Sequence, residues 1–122
     1  MTVLEFGPGG AWSSLDPGQE VHVAASAPLL DAIYGGLFEQ DANGTIVPVM
    51  AQSYDQSADE KTFTIHLRPG MTFSDGTPFN AAAVKWNFER DLSSTSLCQC
   101  VTDFPVQSID TPDDLTVVLH LT

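Results

Sequence analysis

Basic residues are what this chain most lacks. Its 122 residues carry four Lys and Arg against sixteen Asp and Glu, a formal charge of −12, and the isoelectric point falls near 4.1. Such a surface repels phosphate backbones and anionic lipid head groups, so neither nucleic-acid binding nor membrane-surface attachment is expected. No apolar run approaches the ~20 residues of a bilayer-spanning helix, so this segment is not expected to insert into a membrane. The opening MTVLEFGPGG has no basic n-region and no apolar h-region, so no signal peptide is expected. A mature exported domain and a cytoplasmic protein would both read this way. Cysteine is scarce as well. Cys98 and Cys100 are too few for a disulfide framework or a four-ligand zinc site. Two residues apart, they bridge only if the loop bends. Free thiols, a strained local bridge and an intermolecular bridge all stay open, with no catalytic role expected.

What is present is an ordinary globular composition, 43% hydrophobic, long enough for one domain with a modest core. Val3–Phe6 alternate and enter the GPGG cluster, a short strand running into a loop. Asp16-Pro17-Gly18 is a turn. Ser26, or Ala27 before Pro28, opens a helix whose apolar positions Leu29, Leu30, Ile33, Leu37 and Phe38 fall at helical spacing. Gly35-Gly36 weakens that helix near its end. After the Asp41–Gly44 turn the period changes to two. AQSYDQS and KTFTIHL form one hairpin around Ala58-Asp59-Glu60, with Phe63, Ile65 and Leu67 on one face. FPVQSID and LTVVLHLT form a second around Thr111–Asp114, burying Leu115, Val117, Leu119 and Leu121. Between the hairpins, Asn80 caps a helix to about Leu92 with an Ala81, Val84, Phe88, Leu92 stripe. Trp86 lies opposite the stripe and asks for a second surface. The fold class is α+β: an antiparallel sheet of two hairpins with two helices.

Chemistry is sparsely signalled. His22, His66 and His120 invite a metal reading, and His66 and His120 point outward from strands, but there is no HExxH or His-x-His. A catalytic zinc site needs three convergent ligands and an open position, so solvated histidines are the simpler account and no metal or other cofactor is expected. Ser13 and Ser14 lie in no GxSxG elbow. GPGG lacks the lysine of a phosphate loop. Asp75-Gly76 lacks the rest of a calcium loop. No catalytic residue is proposed.

The ordered motifs from Leu15 to Arg90 carry more. An LDP loop is followed by IYGGLFE, an acidic NG turn, VPVMA, a hairpin ending LRPG, then FSDGTPF and the VKWNFER helix. Each is weak alone. In this order they resemble the extracellular solute-binding proteins of family 5, the peptide- and nickel-type binding proteins of ABC importers. The resemblance implies part of a periplasmic-binding-protein type II lobe. Residues 1–41 would supply the first strand, loop and helix of lobe I, and residues 42–122 a smaller β-rich subdomain of an incomplete protein. It implies an oligopeptide or related small solute as ligand, ABC permease subunits as partners of the full-length protein, and an extracytoplasmic location, in the periplasm or as a surface lipoprotein. In such proteins the loop after the first strand borders the ligand cleft, so Gly10, Ala11, Trp12, Ser13 and Ser14 are the candidate ligand-binding residues. Gly35 departs from the acidic residue common there, the CQC loop lies outside the pattern, and a second lobe with its hinge strands is missing. The competing reading is a free-standing domain that self-associates through its sheet or Trp86.

Overall fold

The computed structural model describes residues 14, 16–19, 30, 32–93 and 105–122. Two antiparallel hairpins dominate it. β3 (Ala51–Gln56) pairs with β4 (Thr62–Leu67), and β5 (Val106–Asp113) with β6 (Thr116–Leu121). The hairpins join through their second strands, Thr62 opposite His120 and Ile65 opposite Val117, giving the order β3-β4-β6-β5. The strands form where the period of two turns one apolar row inward. Ile65, Leu67, Val117 and Leu119 are buried, whereas Phe63, Leu115 and Leu121 are half-buried. β3 buries only Ala51, as suits an edge strand.

Helix α1 (Ala81–Asp91) closes the inner face, adding Ala81 and Val84 to a core shared with Phe79 and Ile109. Asn80 caps it in an extended conformation, its Oδ1 accepting the Ala83 N–H at 3.0 Å. Two bonds hold the helix on the sheet. The Ala81 N–H donates to the Asp114 carbonyl (2.8 Å), and Lys85 Nζ to the Ile109 carbonyl (2.8 Å). The passage from β4 to α1 is built from turns. Gly76 has φ +86°, a region that favours glycine, and Asp75 Oδ1 accepts from the Thr77 N–H (2.9 Å) and hydroxyl (2.7 Å).

Three details differ from the sequence expectations. The helix expected through LLDAIYGGLFEQ is helical at Leu30, Ala32 and Ile33, with the Tyr34 N–H on the Leu30 carbonyl at 2.7 Å. Past the two glycines the chain extends, and Phe38–Gln40 is strand β1, paired with β2 (Ile46–Pro48). The Asp41 turn supplies the reason: its Oδ1 accepts the N–H groups of Asn43 and Thr45, both at 2.8 Å, closing a hairpin that competes with the helix. In the second large hairpin, β5 continues through Thr111-Pro112-Asp113, and the turn falls at Asp114-Leu115. Pro112 sits where the register shifts between Asp110 and Asp113, so its missing N–H interrupts no regular ladder. The region around Cys98 and Cys100, the Val3–Phe6 strand and the start of the first helix lie outside the described residues.

Candidate functional site

Of the five expected ligand-binding residues, Gly10, Ala11, Trp12 and Ser13 lie outside the described residues. Ser14 is described, and its surroundings show how the loop's end is fixed. Its hydroxyl accepts the Asp16 N–H at 3.0 Å, Asp16 Oδ1 accepts the Gly18 N–H at 3.1 Å, and the Gln19 N–H returns to the Asp16 carbonyl at 2.9 Å. Together these close a single 3-10 turn over Pro17–Gln19.

That turn rests on the C-terminal end of α1. The Arg90 guanidinium bonds Asp16 Oδ2 and lies 5.8 Å from the centroid of the Trp86 ring. Gly18 is buried there, and a Cβ on it would stand 2.8 Å from Asp91 Oδ1. Burial pushes the Asp91 carboxyl above its ordinary range, with the Arg90 charge opposing and Asp16 adding to the rise. The Asp16 carboxylate in turn keeps the guanidinium protonated above its usual value. A contact between residues this far apart in sequence leaves no local signal. The DPG turn was readable, but its docking site was not.

The histidines are separate. On the sheet's outer face His66 Nε2 meets Asp55 Oδ2 at 2.8 Å, and His120 Nε2 meets Asp110 Oδ2 at 3.1 Å. His66 faces Thr116, while His120 faces Thr62, so the register sets the two rings well apart. Among the described residues no three His, Cys, Asp or Glu come together; His22 lies outside them.

Another surface feature lies beyond the sequence-derived site. Phe73, Ser74, Asp75, Thr77, Ala83, Trp86 and Asn87 line an open depression between the Asp75 turn and α1. Trp86 is 61% exposed and Phe73 41%. Phe73 packs edge-on against Phe79, 5.6 Å between centroids, and Asn87 Nδ2 is tied to the Ala83 carbonyl at 2.9 Å. Trp86 had announced itself by falling off the apolar stripe. Phe73 had not.

Comparison with known proteins turns on the region from the Asp41 turn onward. Residues 45–122 match the family model of the bacterial extracellular solute-binding proteins, family 5 Middle. The chain belongs to this family. Among curated relatives, the glutathione-binding protein GsiB of Pectobacterium atrosepticum is 37% identical over 114 residues, covering 93% of this chain and 22% of that protein. GsiB of Escherichia coli K12 is 42% identical over 82 residues, covering 67% and 16%. The chain thus spans about a fifth of the length of the relatives it matches. Among solved structures, AgaA of A. tumefaciens R10 in complex with agropinic acid superimposes with a TM-score of 0.80 at 36% identity, over 92% of this chain and 23% of that one. NikZ of Campylobacter jejuni in complex with Ni(L-His) gives the same TM-score at 24% identity, over 92% and 22%, and shares the fold. The α+β architecture is therefore that of a periplasmic-binding-protein type II lobe. Family 5 is described as extracellular, and no helix among the described residues is long and apolar enough to cross a membrane.

Proposed function

We propose that this chain is part of the substrate-binding component of an ABC importer, which takes up peptides or similar small solutes outside the cytoplasm without catalysing a reaction on them. The observation that carries the reading is the family 5 match over residues 45–122, together with 37% identity to a glutathione-binding protein along nearly the whole chain. Residues 1–41 would contribute to the main lobe and residues 42–122 to a smaller subdomain beside it. Gly10, Ala11, Trp12, Ser13 and Ser14 would border the ligand. Extended peptides are held largely by main-chain hydrogen bonds, which tolerate varied side chains. Permease subunits would be the partners of the whole protein, in the periplasm or at the cell surface.

Ser14's hydroxyl accepts the Asp16 N–H; in this reading Trp12 would cover an apolar side chain of the solute and Ser13 would donate to a carbonyl. Titration calorimetry with glutathione and with mixed di- to pentapeptides tests the proposal, using a chain of the relatives' length alongside these 122 residues. Saturable binding by the longer chain, weakened by Trp12→Ala, is expected. Tight binding by the 122 residues alone would refute the two-lobed account of the site, because closure of two lobes supplies the contacts in that account. A second reading, self-association, is favoured by exposed Ile33, Tyr34, Ile46 and Tyr54. Light scattering across a concentration series decides it, a strict monomer counting against.

A further inference from the structure

We propose that the depression between the Asp75 turn and helix α1 is a docking site for an arginine side chain presented by a partner protein. This is independent of the solute-binding proposal. Two aromatic residues line it, Trp86 and Phe73, each with much of its side chain in solvent. The same depression is lined by a carboxylate of fixed orientation, that of Asp75. Asp75 Oδ1 is tied to the Thr77 hydroxyl and N–H, and these bonds, the hydroxyl's first, hold its carboxyl below the usual range. Aromatic faces beside an oriented carboxylate match a guanidinium, which stacks on a ring and pairs with an anion through the same planar group. The Trp86 ring already has one guanidinium beside it, that of Arg90.

Charge identifies the occupant. Neither Lys nor Arg is among the residues lining the depression, and the Arg90 guanidinium over the Trp86 ring is already paired with Asp16. Arg90 bonds Asp16, Lys85 reaches the Ile109 carbonyl and Glu89, and Arg68 donates to the carbonyls of Val49, Ala51 and Pro48. Lys61 stands beyond the far end of β4, next to Asp59. The chain's basic residues are thus engaged or distant, whereas the formal charge of −12 attracts a basic surface and repels an anionic one. The same charge disfavours a second copy of this chain as the occupant.

The test follows the indole N–H resonances of Trp12 and Trp86 by NMR in the 122-residue chain, with Trp86→Phe giving the assignment. The probe is the blocked tripeptide Gly-Arg-Gly, and its citrulline counterpart is the control of equal shape without charge. Saturable movement of the Trp86 signal is expected, with a dissociation constant on the order of millimolar. The citrulline peptide should bind roughly fivefold or more weakly, and Asp75→Asn should weaken the arginine peptide by a similar factor. Asparagine keeps an acceptor for Thr77, so the turn survives and loss of binding reads the charge. Equal shifts from the two peptides, an unmoved Trp86 signal, or full affinity in Asp75→Asn would overturn the proposal. So would concentration-dependent dimerisation abolished by Trp86→Ala in sedimentation, which would make a second copy the occupant.

Discussion

Replacing Asn80 tests whether α1 is held where its first turn begins. The Asn80 side chain satisfies the Ala83 N–H, while the Ala81 N–H bonds the Asp114 carbonyl and the Val84 N–H bonds the Asn80 carbonyl. Asn80→Ala therefore strands one donor, and a lost N-cap costs about 1 kcal/mol. An eleven-residue helix is marginal by itself, so this loss passes to the sheet through Ala81 and Val84. For a domain of this size, about 1 kcal/mol lowers the melting temperature by roughly 3–6 °C. Asn80→Gly should lose only a few tenths of a kcal/mol, because glycine is itself an acceptable cap. Asn80→Asp should match the parent at pH 7 and fall behind near pH 4 as its carboxyl protonates. Thermal melts followed by far-UV circular dichroism give all three. An unchanged melt for Asn80→Ala, or a larger loss for glycine than for alanine, would refute the assignment of the cap as the helix's anchor.

Other expectations concern turns and pH. Gly18→Ala places a methyl 2.8 Å from Asp91 Oδ1 and should destabilise by about 1–3 kcal/mol in urea; the loss should shrink in an Asp91→Ala background. Glu60 occupies the left-handed region at φ +59°, so Glu60→Gly should raise the melting temperature slightly, the strain relieved exceeding the entropy glycine adds to the unfolded chain. Asp41, Asp59, Asp75 and Asp113 all have carboxyls held below 3.8, chiefly by hydrogen bonds from Thr45, Ser57, Thr77 and Leu115 respectively. Their stabilisation is present above 3.8 and lost as pH falls through the folded values. Asp91 has the opposite sign: raised from 3.8, it favours the fold below that pH and loses this contribution as pH rises through its folded value. Urea midpoints from pH 3 to 7 should thus fall towards acid, and more steeply in Asp91→Asn, which lacks the opposing contribution. A flat profile would contradict these turn bonds.

The parts of the fold legible in the sequence are those governed by neighbours. The alternation in KTFTIHL and LTVVLHLT placed Ile65, Leu67, Val117 and Leu119 inside, because a strand has only two faces. Asn80 announced its helix because capping is local. Phe38 was misplaced because its spacing suits a helix as well as a strand, and the choice was made by the Asp41 turn and by pairing with Pro48. Asp16 against Arg90 was beyond reach for a different reason: each residue is ordinary in its own segment, and only the tertiary fold brings them together. Beside the candidate ligand loop, order in the motifs revealed the kinship and Asp16-Pro17-Gly18 announced a turn, while the seat of that turn on α1 came from the structure alone.

The strand order β3-β4-β6-β5 also sets a timetable. β4 is complete as a hairpin partner of β3 early in synthesis, yet its other edge pairs with β6, so Thr62 waits for His120. Until residues 116–121 leave the ribosome, the apolar row of Ile65 and Leu67 lacks Val117 and Leu119 beside it, and α1 has no sheet wide enough to cover. Closing that long loop, rather than forming either hairpin, is the step expected to limit the rate of folding. Mutations in β6 should slow folding more than equally destabilising ones in β3.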